Sequence, residues 1–290
     1  MITDQLTNTI YFSDKLQTEC KEVYETIMEL KEKGLPIEVF SGAKSMWARD
    51  YMPIQVSPDR FIAFKYFPDY LNDTKEHMET ITKNAADICR NIVGKWAEVE
   101  ESDIILDGGN VIKCDDAVIM VDKVLRENPR YSSSALLSKL EQLFGCEVYL
   151  IPWDAYEGVY GHSDGVLRYI GNNELLYTKY EDNEYMKDVK HALEYHFPKS
   201  HTLWMPSSAA KCRKKFQWSY INYIRTMDYI ILPALTQKAD CEEDRAVHRQ
   251  FELRFPEYPK DNIIQVYALD ALKNEGGLHC CSWNIFRPIE

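Results

Sequence analysis

The sequence predicts a small α/β propeller, a single domain over residues 1–290 made of five strand–strand–helix–strand units. Three observations carry the prediction. Five amphipathic helical segments begin near residues 14, 74, 133, 183 and 241, at spacings of 60, 59, 50 and 58, which is a structural period. A short β-rich run follows each helix, and two more precede four of them. The first unit has one preceding strand only while the chain ends in an unclaimed one, so the last strand is expected to complete the first unit. On periodicity alone, the alternative is an ordinary layered α/β fold whose spacing is coincidental.

The elements follow in order. Thr9 to Phe12 reads as a strand, and Ser13 can cap a first helix that places Leu16, Cys20, Val23, Tyr24 and Ile27 on one stripe before Gly34. After the strand Pro36 to Phe40, a second helix follows Asp73, turns Met78, Ile81, Ala85, Ile88 and Ile92 inward, and stops at Gly94. Its strand is Trp96 to Glu100. The third unit has strands Val111 to Lys113 and Ala117 to Val121, a helix from the serines at 132–134 to Gly145, and the strand Glu147 to Ile151. In the fourth, Val166 to Ile170 and Glu174 to Thr178 precede a helix over about Asn183 to His196, ended by Pro198, and then Thr202 to Trp204. The fifth helix follows Asp240, buries Val247 and Phe251, and ends before Pro256. Ile263 to Tyr267 comes next, and Leu278 to Ile285 is the closing strand.

Composition narrows the function. With 45% apolar and 12% aromatic residues the chain can bury a substantial core, which excludes disorder. Its 34 Lys plus Arg against 46 Asp plus Glu give a charge of -12 with no basic run, which argues against nucleic acid and suits a cationic ligand. Met1 to Thr9 has neither a basic nor an apolar leader region, and no apolar run approaches the roughly 18 residues of a membrane span. A cytoplasmic protein with no membrane association is expected. The eight cysteines show no C-x-x-C pair, and no H-E-x-x-H or G-x-G-x-x-G occurs, so thiols are expected rather than disulfides, with no metal and no cofactor. Oligomeric state is not written in these features, and a homo-oligomer is compatible with them.

The unusual residues fall at the junctions between units, where a ring would bring them together. They are W-A-R-D-Y (Trp47 to Tyr51), D-G-G-N (Asp107 to Asn110), G-H-S-D-G (Gly161 to Gly165), a polar stretch ending in Ser219, Tyr220 and Asn222, and G-G-L-H-C-C (Gly276 to Cys281). Taken singly, each has a bland reading: Arg49 and Asp50 a surface ion pair, D-G-G-N a turn, His162 a structural histidine. Together they supply a thiol nucleophile, an acid/base group and a cradle for a cation. In an extended segment His162 and Asp164 share one face while Ser163 points away. By the same rule His279 and Cys281 each face away from Cys280, so one cysteine lines the pocket and the other packs behind it.

In this order and at these junctions, W-A-R-D-Y, D-G-G-N, G-H-S-D, S-Y-I-N and G-G-L-H-C resemble the agmatine deiminase and Porphyromonas-type peptidylarginine deiminase family of the guanidino-modifying superfamily. The resemblance covers nearly the whole chain and implies that superfamily's five-bladed propeller, the pentein fold. It also implies Cys280 as nucleophile, His162 as general acid/base, and Asp50 and Asp164 as the carboxylates that bind the guanidinium. The chemistry asks for such groups. A guanidinium presents five N–H donors in a planar fork that two carboxylates can hold, and its resonance-stabilised carbon needs a thiolate to attack it. The expected product is a ureido compound plus ammonia, released through a Cys280-linked amidino intermediate. The expected substrate is agmatine, giving N-carbamoylputrescine, with free arginine or arginine in a peptide or protein as alternatives.

Trp47 is expected over the alkyl stem of the substrate rather than merely filling an interface, with Asn110 and Asn222 as further binding residues. Asp107 either joins the ring of carboxylates or caps its turn, and its D-G-G context favours the turn. The chain departs from the family where relatives commonly show E-G-G-N and it has Asp107. It departs again where they run several glycines before the terminal I-H-C and it has Asn274 and Glu275 ahead of Gly276 and Gly277 only. Met52 stands where glycine is usual, and the chain is shorter than a typical agmatine deiminase. Two rival functions share the motifs: an amidinotransferase, in which an amine replaces water, and an idle propeller that only binds a cationic ligand or protein. His77, His191, His196, His201 and His248 lie on or beside helices and are read as surface or structural residues.

Overall fold

The computed structural model describes residues 1–154, 160–178, 184–206 and 214–288. They form five three-stranded sheets. In each sheet the middle strand pairs antiparallel with one neighbour and parallel with the other. A short hairpin can make the antiparallel pair, whereas the parallel strand needs a crossover, which the helix supplies. The first sheet orders the terminal strand Ser282–Ile285, then Thr9–Ser13, then Ile37–Phe40, with Thr9 opposite Ile285 and Ile10 opposite Ile37. The chain's end therefore completes its first unit, as the unclaimed strand predicts.

Each middle strand carries a run of buried apolar residues that serves both of its faces. Alternate side chains enter different core clusters. Ile10 and Phe12 pack with Ile231 and Val266 of the fifth sheet, whereas Tyr11 packs with Phe61 of the second. Ile62 then joins Val118 and Met120 of the third sheet, and Ile119 and Val121 join Leu175 of the fourth. Leu176 joins Ile230 and Leu232 of the fifth sheet, whose Ile231 returns to the first. Five clusters thus link the sheets in a series that closes on itself.

Three helices differ from expectation. The first is Leu16–Glu19 followed by Lys21–Glu32, interrupted at Cys20 where φ is -144° and ψ 69°. The second divides into Lys75–Glu79 and Ala85–Val93, leaving Met78 exposed rather than inward. Polar side chains in the gap explain the break. Thr82 accepts from Lys44 N at 3.0 Å and Asn84 donates to Gly42 O at 3.2 Å, bonds that compete with a continuous helix. The fifth, Glu242–Arg254, is capped by the Cys241 thiol accepting from Asp244 N, not by Asp240. The third matches: Ser132 caps Ser133–Phe144, and Gly145 ends it in the left-handed region. The fourth is Glu184–Leu193, its expected start at Asn183 lying outside the described residues. No helix among the described residues is long and apolar enough to cross a membrane.

Candidate active site

The cluster begins with the turn that carries Cys280. The closing strand starts at Ser282, not at Leu278, and Ser282 N donates to His279 O at 3.0 Å to close the turn before it. Cys280 is fixed from two sides: its carbonyl accepts from Arg49 N at 3.0 Å, and its N–H donates to Asn222 Oδ1 at 3.2 Å. The Sγ lies 3.4 Å from Asn222 Oδ1 and 3.7 Å from Asp164 Oδ2. Cys281 packs behind, fully buried in the cluster that holds Leu278 and Met46. A Cβ at Gly277 would lie 2.2 Å from Asn222 Oδ1, so glycine is what lets the asparagine reach the thiol.

Asp50 sits in the helical turn Ala48–Tyr51, buried, where its Oδ1 accepts from Gly109 N at 3.1 Å and stands 3.7 Å from His162 Nδ1. The opposite ring nitrogen of His162 is 3.1 Å from Asp107 Oδ2, which also accepts from the Tyr70 hydroxyl at 3.0 Å. Arg49 and Asp50 are therefore no surface pair. Arg49 is buried and bonded to Asn284, while Asp50 faces the imidazole. Ser163–Gly165 is a 3-10 turn rather than extended chain, and Ser163 is fully buried. The carboxylate of Asp164 meets both Cys280 and His279.

His279 does not face away from this site. Its Nδ1 is 2.6 Å from Asp164 Oδ2, the oxygen that Cys280 also approaches, because the backbone here turns and the alternation of a strand does not apply. Its Nε2 is 3.4 Å from Asp4 Oδ2. Asp4 is in turn held by Lys113 Nζ at 3.1 Å and by Arg168, whose side chain is 3% exposed. A buried chain thus runs from Cys280 through Asp164 and His279 to Asp4, Lys113 and Arg168. The signal for it was a charge inside an apolar strand: Lys113 after Ile112, Arg168 after Leu167, positions where a cation occurs only with a partner. Asp4 and the two tyrosines, Tyr70 and Tyr160, carried no such signal.

The electrostatics follow from burial and from who faces whom. Burial, with Asp164 and Asp50 adding, pushes the Cys280 thiol well above its usual range. Burial and the nearby Asp107 and Asp164 carry Asp50 up to about 7, although His162 opposes them. Burial alone would lower His162, but Asp50 and Asp107 outweigh it and raise the imidazole to about 9. Asp164 moves the other way: burial pushes it up, yet the His279 hydrogen bond holds it below the ordinary carboxylate range. His279 is itself lowered by burial and by Arg168 and Arg49, against the pull of its contacts with Asp164 and Asp4. The arrangement is an imidazole whose proton is held by two acids, Asp50 and Asp107, beside a thiol whose ionisation is opposed by burial and by Asp164 and Asp50.

The remaining expected site residues separate. Asn222 is on Cys280, and Asp107 is on His162, its turn being closed by the main chain through Asn110 N to Asp107 O at 3.0 Å. The turn role expected of the Asp107 side chain is therefore replaced by a contact with the imidazole. Asn110 lies apart: its amide donates to Val121 O at 3.1 Å and accepts from Val121 N at 2.7 Å, which uses both ends. Trp47 is half-buried against the first core cluster, with its ring where a Cβ on Gly276 would come within 2.2 Å. The other five histidines bond or stack elsewhere: His77 on Asp73, His191 on Glu194, His201 on Glu174, His248 on Ile263 O and His196 on Tyr149. Among the described residues no group of three or more His, Cys, Asp or Glu side chains is arranged to hold a metal ion.

Gly109 tests how tightly the groups are set. A Cβ there would lie 2.6 Å from Asp50 Oδ1 and 2.7 Å from His162 Nδ1. Gly109→Ala is expected to force the two apart and cost about 1–3 kcal/mol by thermal unfolding. It should also move the His162 titration downward in an NMR experiment, since Asp50 is what raises it most. A His162 titration left near 9 would show that the contact does not depend on the glycine.

The sequence model of the Porphyromonas-type peptidyl-arginine deiminases matches residues 2–285. A Legionella pneumophila (strain Paris) protein, named provisionally as an agmatine deiminase, is 24% identical over 202 residues, covering 63% of this chain and 56% of that one. The match thus spans a little over half the length of the curated relative. Among solved structures, a substrate-bound cysteine-to-serine variant of C. jejuni agmatine deiminase superposes with a TM-score of 0.74 at 18% identity, over 99% of this chain and 95% of that one. Agmatine deiminase of Enterococcus faecalis gives 0.73 at 18%, with the same coverage. A citrulline complex of Pseudomonas aeruginosa DDAH gives 0.59 at 13%, over 96% and 99%. What these structures share with the chain is the mixed α/β fold.

Proposed function

Since the chain belongs to the Porphyromonas-type peptidyl-arginine deiminase family, we propose that it hydrolyses a guanidino compound to a ureido compound and ammonia through a covalent adduct on Cys280. Agmatine, giving N-carbamoylputrescine, is the first substrate, a reading supported by the names of the relatives. The observation that carries it is the Cys280 thiol 3.7 Å from Asp164, with Asp50 and His162 joined to the same buried cluster. The five sheets are read as five blades around an axis, which the closed series of core clusters supports.

In this reading Asp50 and Asp164 hold the planar cation by its N–H edges. The incoming positive charge favours the Cys280 thiolate, whose proton leaves to solvent, and the sulfur attacks the guanidinium carbon to give a neutral tetrahedral adduct. His162, protonated near neutrality, transfers its proton to an amino nitrogen, and the C–N bond breaks as ammonia leaves. A cationic S-linked amidino group remains. The neutral imidazole then takes a proton from water as its oxygen adds to that carbon. The C–S bond breaks, the hydroxyl proton departs, and the ureido product and thiolate separate. Asp107, on the far nitrogen, orients the ring throughout.

The titrations give a signed prediction. Asp50 near 7 and His162 near 9 hold protons in the empty site at neutrality, and a guanidinium placed among them should expel part of that charge. Agmatine binding to Cys280→Ala protein is therefore expected to release protons and to tighten as pH rises from about 6 to about 8. Calorimetry in buffers of different ionisation enthalpy measures both. Affinity independent of pH over that range would contradict the proposed protonation states.

The reaction class is tested by incubating the protein with agmatine, with and without a second amine, and measuring ammonia and ureido product. Equal release of both, unaffected by the amine, is expected. Amidine transfer without net ammonia would replace the hydrolase reading with a transferase.

A further inference from the structure

The segments that lead into His162 and Cys280 are joined by a side-chain hydrogen bond. Tyr160, two residues before His162, donates its hydroxyl to the carboxylate of Glu275, five residues before Cys280. The Tyr160 ring lies edge-on to Tyr70 at 4.8 Å and 6.0 Å from the His162 ring. Its phenol is pushed up by burial, by the bond to Glu275, and by the charges of Asp50 and Cys280. The Glu275 carboxylate therefore stands at the outer end of an aromatic wall whose inner end is the reacting group.

The backbone at Glu275 adds a second observation. Its φ of 70° lies in the left-handed region, which glycine enters freely and a side-chain-bearing residue does not. Gly276, next to it, has a physical reason to be glycine, since a Cβ would strike the Trp47 ring at 2.2 Å. At 275 the conformation favours glycine and the residue is glutamate. A side chain kept against the preference of its backbone is a sign that the side chain is used. The charges nearby agree in sign. Asp50, Asp107 and Glu127 are acids, and the Lys123 ammonium, which reaches Tyr160 O at 3.0 Å, is taken by Asp69 at 2.7 Å and Glu127 at 3.4 Å.

We infer that Glu275, steadied by Tyr160, reads the far end of the substrate by accepting hydrogen bonds from a cationic group that terminates an alkylguanidine. A carboxylate has acceptor capacity beyond the one bond from Tyr160, so a protonated amine with three donors joins the pair without displacing it. A tail that ends in a carboxylate meets a like charge instead. The inference rests on the deiminase reading and adds to it the residue that selects among candidate substrates, favouring guanidines with an ammonium at the other end over those ending in a free α-carboxylate.

The test compares agmatine with butylguanidine, which has the same four-carbon stem and no amine. Calorimetric dissociation constants are measured on Cys280→Ala protein, alone and combined with Glu275→Gln or Glu275→Gly. The preference for agmatine over butylguanidine is expected to fall about tenfold in both combinations, the strength of a charge-assisted hydrogen bond. An unchanged ratio in Glu275→Gln overturns the inference. So does a ratio lost in Glu275→Gln but kept in Glu275→Gly, which would show that the preference does not need the carboxylate, and so does undetectable agmatine binding with Glu275 intact. Ammonia release by the wild type is scored separately. Release with an unchanged ratio removes only the role of Glu275, whereas the shifted ratio without release removes only the deiminase reading.

Discussion

Cys280→Ala protein is expected to turn over agmatine at least about 10⁴-fold more slowly than the wild type while still binding it. In the proposed mechanism the thiol forms the bond to the guanidinium carbon and later releases it, whereas Asp50 and Asp164, assigned to the cation, and His162, assigned to proton transfer, are untouched. The alanine leaves Asn222 and Asp164 with their other partners: Asn222 keeps the 280 N–H and Asp164 keeps His279. Stability should fall by no more than about 1 kcal/mol, the scale of one small buried group. Cys281→Ala is the informative control. That sulfur is core, packed with Leu278 and Met46, so its loss should lower the melting temperature and spare the chemistry. Turnover surviving in Cys280→Ala would remove the covalent route.

Asp164→Asn is expected to cost both function and stability. The carboxylate is 1% exposed and faces the Cys280 thiol, the His279 ring and, at longer range, Arg168. An amide of the same shape carries no charge for the substrate and turns a donor toward either the thiol or the imidazole. Given the proposed role of Asp164 as one of two carboxylates orienting the substrate cation, its loss is expected to lower kcat/KM by about 10²–10⁴. Unbalancing the buried chain that ends in Lys113 and Arg168 should cost about 3–5 kcal/mol. The pH dependence has a sign. Asp164 titrates below its unfolded value, so the stability it contributes is present above the ordinary carboxylate pKa and is lost as pH falls through its lower folded value. The gap in stability between wild type and Asp164→Asn is therefore expected to be widest near neutrality and to narrow in acid. A constant gap in chemical denaturation from about pH 3 to about pH 7 would show that the charge is not what matters.

The fold was legible because its units repeat. Ala117–Val121 and Ile263–Tyr267 keep their expected bounds: the first is apolar and buried throughout, and the second buries Ile263 and Val266. The interruption of the second helix was not legible, because Met78, Ile81 and Ala85 keep a helical stripe through the break. What breaks it is a tertiary demand, the bonds of Thr82 and Asn84 to a loop near residues 42–44. The site divides in the same way. Cys280, His162, Asp50 and Asp164 were visible because junction motifs stand out from alternating strands. His279 was misjudged by applying strand alternation to residues that form a turn. Asp4 was invisible, since an acid near the start of a chain reads as solvated until Lys113 and Arg168 are seen to meet it. Asn110 shows the converse. A polar residue inside a motif was credited with ligand contact, yet its amide is bonded at both ends to the backbone of Val121.

The most direct measurement is an acid quench of the wild type during agmatine turnover, followed by peptide mass analysis. The account predicts that the peptide containing Cys280 carries the substrate's amidino group with its aminobutyl tail, less one ammonia, and that the modification vanishes in Cys280→Ala. Turnover with Cys280 unmodified at every quench time, or with the adduct on Cys281, would contradict it.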